Sequence, residues 1–271
     1  MLLRRACVSV RGTFRLTIRQ MRTDAAQVSP AGLVNTAAYS STQSRTRFRS
    51  ILWIALIFLC VIAAAVVIRR MAALANPPRN PPAQFAGLDA AFAAKPILTL
   101  VHIVPGLIFV ILVPFQLSRS FRNRHLRAHR WMGRATMLLG VLIGISALPM
   151  SRHPIGGSLE ASATVFFDGF FLLALTKGFV HIRRGDIKLH REWVIRAMSI
   201  ALGIATVRPI MGVFFATSSL TGLTPRDFFG IAFWIGFTAT YIAGEAWIRY
   251  TRLGRRVEIP SQTNAAVQPA R

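Results

Sequence analysis

The chain has only two cysteines, nine acidic residues and a charged fraction of 15% in 271 residues. Cys7 lies in an arginine-rich N-terminal stretch and Cys60 in an apolar run. Two cysteines so placed exclude a disulfide framework or thiolate metal site and report no redox compartment. The low charge excludes an ordinary soluble domain, in which about a quarter of residues are charged. An apolar content of 53%, with mean hydropathy +0.48, excludes a disordered chain. Also missing are H-E-x-x-H, G-x-S-x-G, a phosphate loop and a dinucleotide glycine fingerprint, so protease, hydrolase and nucleotide-enzyme chemistries lack their groups. No catalytic residue is assigned, and whether the protein is an enzyme stays open.

What is present is a membrane pattern. A bilayer core of about 30 Å needs about 20 apolar residues, and six runs qualify: 51–68, 96–118, 131–149, 161–181, 193–215 and 228–248. Residues 51–68 contain no charge and are closed by Arg69 and Arg70. The expected fold is therefore all-α, a polytopic bundle of six transmembrane helices, with a five-helix core behind an N-terminal span. The net charge of +24 comes from arginines flanking these runs, so the partner is the lipid bilayer and no nucleic acid is expected. Arg119, Arg122, Arg124, Arg127 and Arg130 fill one connection, and Arg183, Arg184, Lys188 and Arg191 another. The positive-inside rule turns both toward the cytoplasm, with both termini. Residues 69–95 then form an outer loop despite Arg69, Arg70, Arg79 and Lys95.

Three regions follow: a basic, disordered tail over 1–50, the bundle over 51–250 and a cytoplasmic tail over 251–271. The first 50 residues hold nine arginines against Asp24 alone and also resemble a mitochondrial transit peptide. A start placed too far upstream, with Met21 as the true one, is a further reading. The expected location is the bacterial inner membrane, with the mitochondrial inner membrane as the alternative.

The stretch Leu126–Ala135, LRAHRWMGRA, matches Ile187–Ala197, IKLHREWVIRA, with a one-residue gap. Each puts His-Arg at a basic mouth and an arginine about one and a half turns onward. This suggests a parallel repeat of spans two plus three and four plus five, or a coincidence of two basic loops. VHIVPGLIFVILVPFQLS, HRWMGR, RRGDIKLHREWVIRAMSI and the Arg208-Pro209 pair occur in that order. In this combination the chain resembles the membrane family called domain of unknown function 2306, over about residues 95–250. The resemblance implies the helical bundle and carries no established activity.

Ionisable groups inside a bilayer are costly and mark sites. Counted from the outer ends of the runs, His102, Asp168 and Arg208 share one level. Asp168 is expected to pair with Arg208 beside His102, as a cavity for a lipid or small ligand or as a structural lock. The inner level holds His129, Arg134, His181, His190, Arg196 and Glu245, with Glu245 able to pair with Arg196 or Arg134. These groups meet lipid phosphate, or else hold one haem b with His129 and His190 as axial ligands and His181 as substitute. No firm metal site is expected. Gly140 and Gly144 predict a close helix approach, within the chain or between copies. The leading expectation is a binding or structural membrane protein. A single-haem redox protein is the alternative, and a transporter comes third because paired broken helices are absent. Substrate and oligomeric state are not encoded in any motif.

Overall fold

The computed structural model describes the backbone of residues 30–80 and 83–257. Residues 1–29 of the expected tail and 258–271 of the C-terminal tail lie outside the described residues. Eight helices are present among those described: α1 (Pro30–Ala75), α2 (Ala83–Ala93), α3 (Pro96–Leu117), α4 (Arg119–Arg124), α5 (Leu126–Met150), α6 (Gly157–Arg183), α7 (Ile187–Thr221) and α8 (Pro225–Val257). Among the described residues six stretches are long and apolar enough to cross a membrane: Thr46–Ala75, Pro96–Leu117, Leu126–Met150, Gly157–Arg183, Ile187–Thr221 and Pro225–Arg252. The fold is the polytopic helical bundle that the runs imply. The chain divides into two units, residues 1–55 and 56–271. In the first, the described backbone is helical over 30–55, so helix starts well ahead of the apolar run. The second holds the remainder of α1 and the other seven helices.

Local chemistry sets the helix ends. Pro96 opens α3, where its missing N–H costs nothing. Ser118 caps α4 by accepting from the Phe121 N–H, and Asp186 caps α7 by accepting from the Leu189 N–H. α7 stops at Gly222, whose φ of 69° lies in the left-handed region that terminates helices. At the start of α8, Thr224 donates from both its N–H and its hydroxyl to Asp227.

Packing follows chain order: α3 lies on α5, α5 on α6, α6 on α7 and α8, and α7 on α8. The main core joins Phe109 and Val113 of α3, Phe167, Phe171 and Leu175 of α6, and Met198 and Ile200 of α7. Cys60 and Ala63 of α1 belong to it too. The phenylalanines of α6 divide by face: Phe167 and Phe171, one turn apart, are buried, and Phe166 is exposed where lipid would lie. A second core forms at the end away from the basic connections, from Leu88 of α2, Val207 and Met211 of α7, and Phe228, Phe229 and Ala232 of α8.

Small residues let helices close. A Cβ on Gly140 would stand 2.7 Å from Leu175 Cδ1, and one on Gly144 2.5 Å from Leu172 Cδ2. The G-x-x-x-G face of α5 is thus occupied by α6 of the same chain.

Candidate functional site

The three residues expected to form one outer cluster are each placed differently. His102, half-buried on α3, meets Ser146 of α5 with Nδ1 3.0 Å from Oγ. The Ser146 hydroxyl proton is directed at the carbonyls of Leu142 and Ile143, at 2.7 and 2.9 Å. Its oxygen is therefore the acceptor and His102 Nδ1 the donor. Asp168 lies against Gly144 of the same helix α5: its Oδ1 would be 3.2 Å from a Cβ there. Ser146 and Gly144 are two residues apart, about 200° around the helix, so His102 and Asp168 approach α5 from different sides.

Arg208 does not pair with Asp168. The ion pairs among the described residues join Arg69 and Arg70 to Asp89, His181 to Asp186, Arg196 to Glu245 and Arg252 to Glu192. Arg208 instead lies within electrostatic reach of Glu160, Arg70 and Arg69. Glu160 is eight residues, about 12 Å along α6, nearer the helix end than Asp168. Equal counts from the apolar runs misplace these residues because helices outrun the runs unequally. α7 continues to Thr221 and α6 begins at Gly157. The two side chains also belong to different contacts, Asp168 to the α5 interface and Arg208 to the α7 side.

The end of the bundle away from the basic connections thus gathers three guanidiniums and two carboxylates, and both carboxylates are engaged. Arg69 grips Asp89 with two hydrogen bonds, 3.0 and 2.8 Å, and Arg70 donates to the same carboxylate. Arg70 is buried and also lies 4.2 Å over the Phe92 ring. Glu160 accepts from the Gly156 N–H at 2.6 Å. Arg208 keeps a buried Nε without a hydrogen-bond partner. The Asp89 clamp also engages two of the arginines that made residues 69–95 unusual for an outer loop and neutralises one of their charges.

That clamp has a pH signature. The Arg69 hydrogen bonds, with the charge of Arg70 beside them and burial opposing, hold the Asp89 carboxyl below the usual carboxylate range. A depressed folded-state value means that the contribution is complete above the ordinary carboxylate value of about 3.9 and is lost as pH falls through the folded value. Hydrogen exchange in α2, corrected for intrinsic rates, should stay slow down to about pH 4 and accelerate below it. Asp89→Asn should bring the fast exchange to neutral pH, by roughly 10- to 30-fold for a loss of about 2 kcal/mol.

At the basic end, Glu245 pairs with Arg196, whose Nε and Nη2 donate at 2.5 and 3.2 Å. Arg196 also lies 4.8 Å over the Trp193 ring, and Arg134 lies 5.0 Å over the Trp131 ring, the repeat's Trp-x-x-Arg in both copies. His190 Nδ1 donates to the Gly178 carbonyl at 2.8 Å. His181 comes within 4.0 Å of Asp186. His129 is in electrostatic reach of His190, and its Nδ1 is buried without a partner. The two repeat histidines are therefore neighbours. No group of three or more His, Cys, Asp or Glu is placed to hold a metal ion among the described residues.

Glu192, Asp89 and Glu160 are structural partners that the sequence reading passed over. Asp89 was findable, being the only acid between Asp24 and Glu160 and following two arginines that need a counter-charge. Glu192 sits inside the repeat itself and is 4% exposed, bound by Arg252 from α8. The pairing of Glu192 with Arg252 spans 60 residues and has no periodic signature.

A family model described as "Predicted membrane protein (DUF2306)" matches residues 99–248, more than half of the chain. No curated protein and no solved structure matches.

Proposed function

Since this chain belongs to the DUF2306 family of predicted membrane proteins, we propose a function carried out within the bilayer: it holds the phosphate of an anionic lipid headgroup at Arg208. The observation that carries this reading is a guanidinium well inside a spanning helix, with its Nε buried and unpartnered, while both nearby carboxylates are taken by other donors. Three guanidiniums against two engaged carboxylates leave one positive charge to be matched. A planar guanidinium fork suits the oxygens of a phosphate group. Exposed apolar side chains at the same end, Ile97 and Val101 among them, favour an acyl-bearing ligand over a free solute. His102 and Asp168 contribute nothing to this site.

The test compares the full chain in phosphatidylcholine nanodiscs doped with phosphatidylglycerol or supplied with inorganic phosphate. Native mass spectrometry should show retained phosphatidylglycerol, and Arg208→Gln should weaken retention about 10- to 100-fold, the value of one charge-assisted contact. Stability in phosphatidylcholine alone should be unchanged or higher, because an unmatched charge has been removed. Retention of inorganic phosphate alone would assign a free anion. Equal phosphatidylglycerol retention in both proteins would remove Arg208 from the role.

The second reading, one haem b between His129 and His190, is supported by one hydrogen bond. Donation from His190 Nδ1 to the Gly178 carbonyl leaves Nε2 as the ligating atom and fixes the ring. A Soret band lost in His190→Ala supports it, and a colourless protein from haem-supplied cells overturns it.

A further inference from the structure

The acids among the described residues divide six to one. Among the described residues Asp89 is bound by Arg69 and Arg70, Glu160 by the Gly156 N–H, and Asp186 by the Leu189 N–H. Glu192 is bound by Arg252, Asp227 by Thr224 and Glu245 by Arg196. Asp168 alone forms no ion pair or hydrogen bond among those residues; the residue is half-buried, with Oδ2 shut off from the surface. It stands eleven residues into α6, about 16 Å from the helix start, far from both rims of the span.

The surroundings supply no counter-charge. α6 packs on α5, α7 and α8. The facing stretches are 137–150 of α5, 197–207 of α7 and 228–244 of α8, and their only ionisable residue is Tyr241. Tyr241 packs its ring on Phe170 and is engaged with Glu245 and Arg196. Arg208, just beyond the α7 stretch, has Glu160, Arg70 and Arg69 as its electrostatic partners. His102 is committed to Ser146. Around Asp168 itself stand Gly144, Leu172 and Phe167, whose ring lies against Trp234 and Phe237.

A carboxylate left in such a place costs several kcal/mol, and a group so buried takes up a proton instead. A metal cation would need a cage of several oxygens, and no group of three or more His, Cys, Asp or Glu is placed to hold one among the described residues. We propose that Asp168 is a proton-binding site inside the bilayer: it rests as a neutral carboxylic acid and releases its proton only when the α5–α6 contact at Gly144 opens to water. This places a protonation step, coupled to movement of one helix pair, in a region distinct from the Arg208 phosphate site, and it stands or falls independently of that site.

Dicyclohexylcarbodiimide tests it, because this apolar reagent modifies carboxyls that carry their proton. The acid's proton passes to a carbodiimide nitrogen while its oxygen bonds the central carbon. Rearrangement then gives a stable acylurea with the mass of one whole carbodiimide added. The full chain in phosphatidylcholine nanodiscs is treated at about pH 7 and the label located by peptide mapping. An ordinary aspartate is about 0.1% protonated at that pH, so Asp168 should label at least 100-fold faster than Asp89 or Asp227, and the rate should fall as the pH is raised. Asp168→Asn, which keeps the shape of a neutral acid, should lose the label and keep its thermal midpoint. Asp168 left unmodified while the rim carboxyls react overturns the proposal, and that result comes from the wild-type protein alone. Protection of Asp168 by sodium ions at fixed pH would assign a metal cation and overturn it equally.

Discussion

Arg252→Ala should lower the thermal midpoint of the bundle clearly more than Glu192→Ala does. The asymmetry arises because the two partners differ in access to water. Glu192 is buried, with its side chain 5% exposed, while the Arg252 side chain is 52% exposed. Removing the arginine takes both hydrogen bonds from a buried carboxylate and leaves it only the more distant charges of Arg196 and Arg191. Removing the carboxylate lets the arginine turn to water or to lipid phosphate. The double variant should recover most of the loss, because no buried charge then remains. Thermal midpoints of the four proteins in one lipid composition measure the cycle, and equal losses for the two single variants would show that Glu192 reaches water.

Gly203→Leu should prevent α7 and α8 from seating, at a cost of about 3 kcal/mol or more. A Cβ at Gly203 would stand 2.9 Å from Phe237 Cα as well as against its ring, so backbone would have to move. The contact recurs along the same pair: a Cβ on Gly236 would come 2.7 Å from Val207 Cγ2 and 3.0 Å from its backbone nitrogen. The control is Gly169→Ala, where nothing lies within 4 Å. There the helix should gain about 0.5 to 1 kcal/mol from reduced backbone freedom. Size-exclusion profiles and thermal midpoints distinguish the cases, and a well-folded Gly203→Leu would mean that α7 and α8 do not approach this closely at Gly203.

How much of this was legible in the sequence depends on the length scale involved. The spans were readable because hydrocarbon demands about 20 apolar residues wherever a helix crosses it, and residues 51–68 or 131–149 meet that demand without tertiary context. The G-x-x-x-G at Gly140 and Gly144 declared a close approach but not its partner. Choosing between α6 and a second copy required three-dimensional placement. The polar residues were identifiable as exceptions to an apolar background, yet their grouping was not. His102, Asp168 and Arg208 have similar depth only when counted from hydropathy edges, and such a count ignores both unequal helix overrun and the facing direction of each side chain. Two residues along α5, between Gly144 and Ser146, are enough to put Asp168 and His102 on different sides of one helix. Arg69, Arg70 and Asp89 could have been joined by noticing a lone acid among basic residues. Glu192 and Arg252 could not, because nothing local in either segment points to the other.

Solid-state NMR recoupling between phosphorus and nitrogen, on protein carrying nitrogen-15 arginine in phosphatidylglycerol bilayers, tests most directly whether Arg208 holds a phosphate. The Arg208 guanidinium signal, assigned by its absence in Arg208→Lys, should be dephased by phosphorus at about 4 Å, the separation that a charge-assisted hydrogen bond to a phosphate oxygen imposes. An Arg208 signal untouched by phosphorus, in a sample whose rim arginines are dephased by the same lipid, would contradict it.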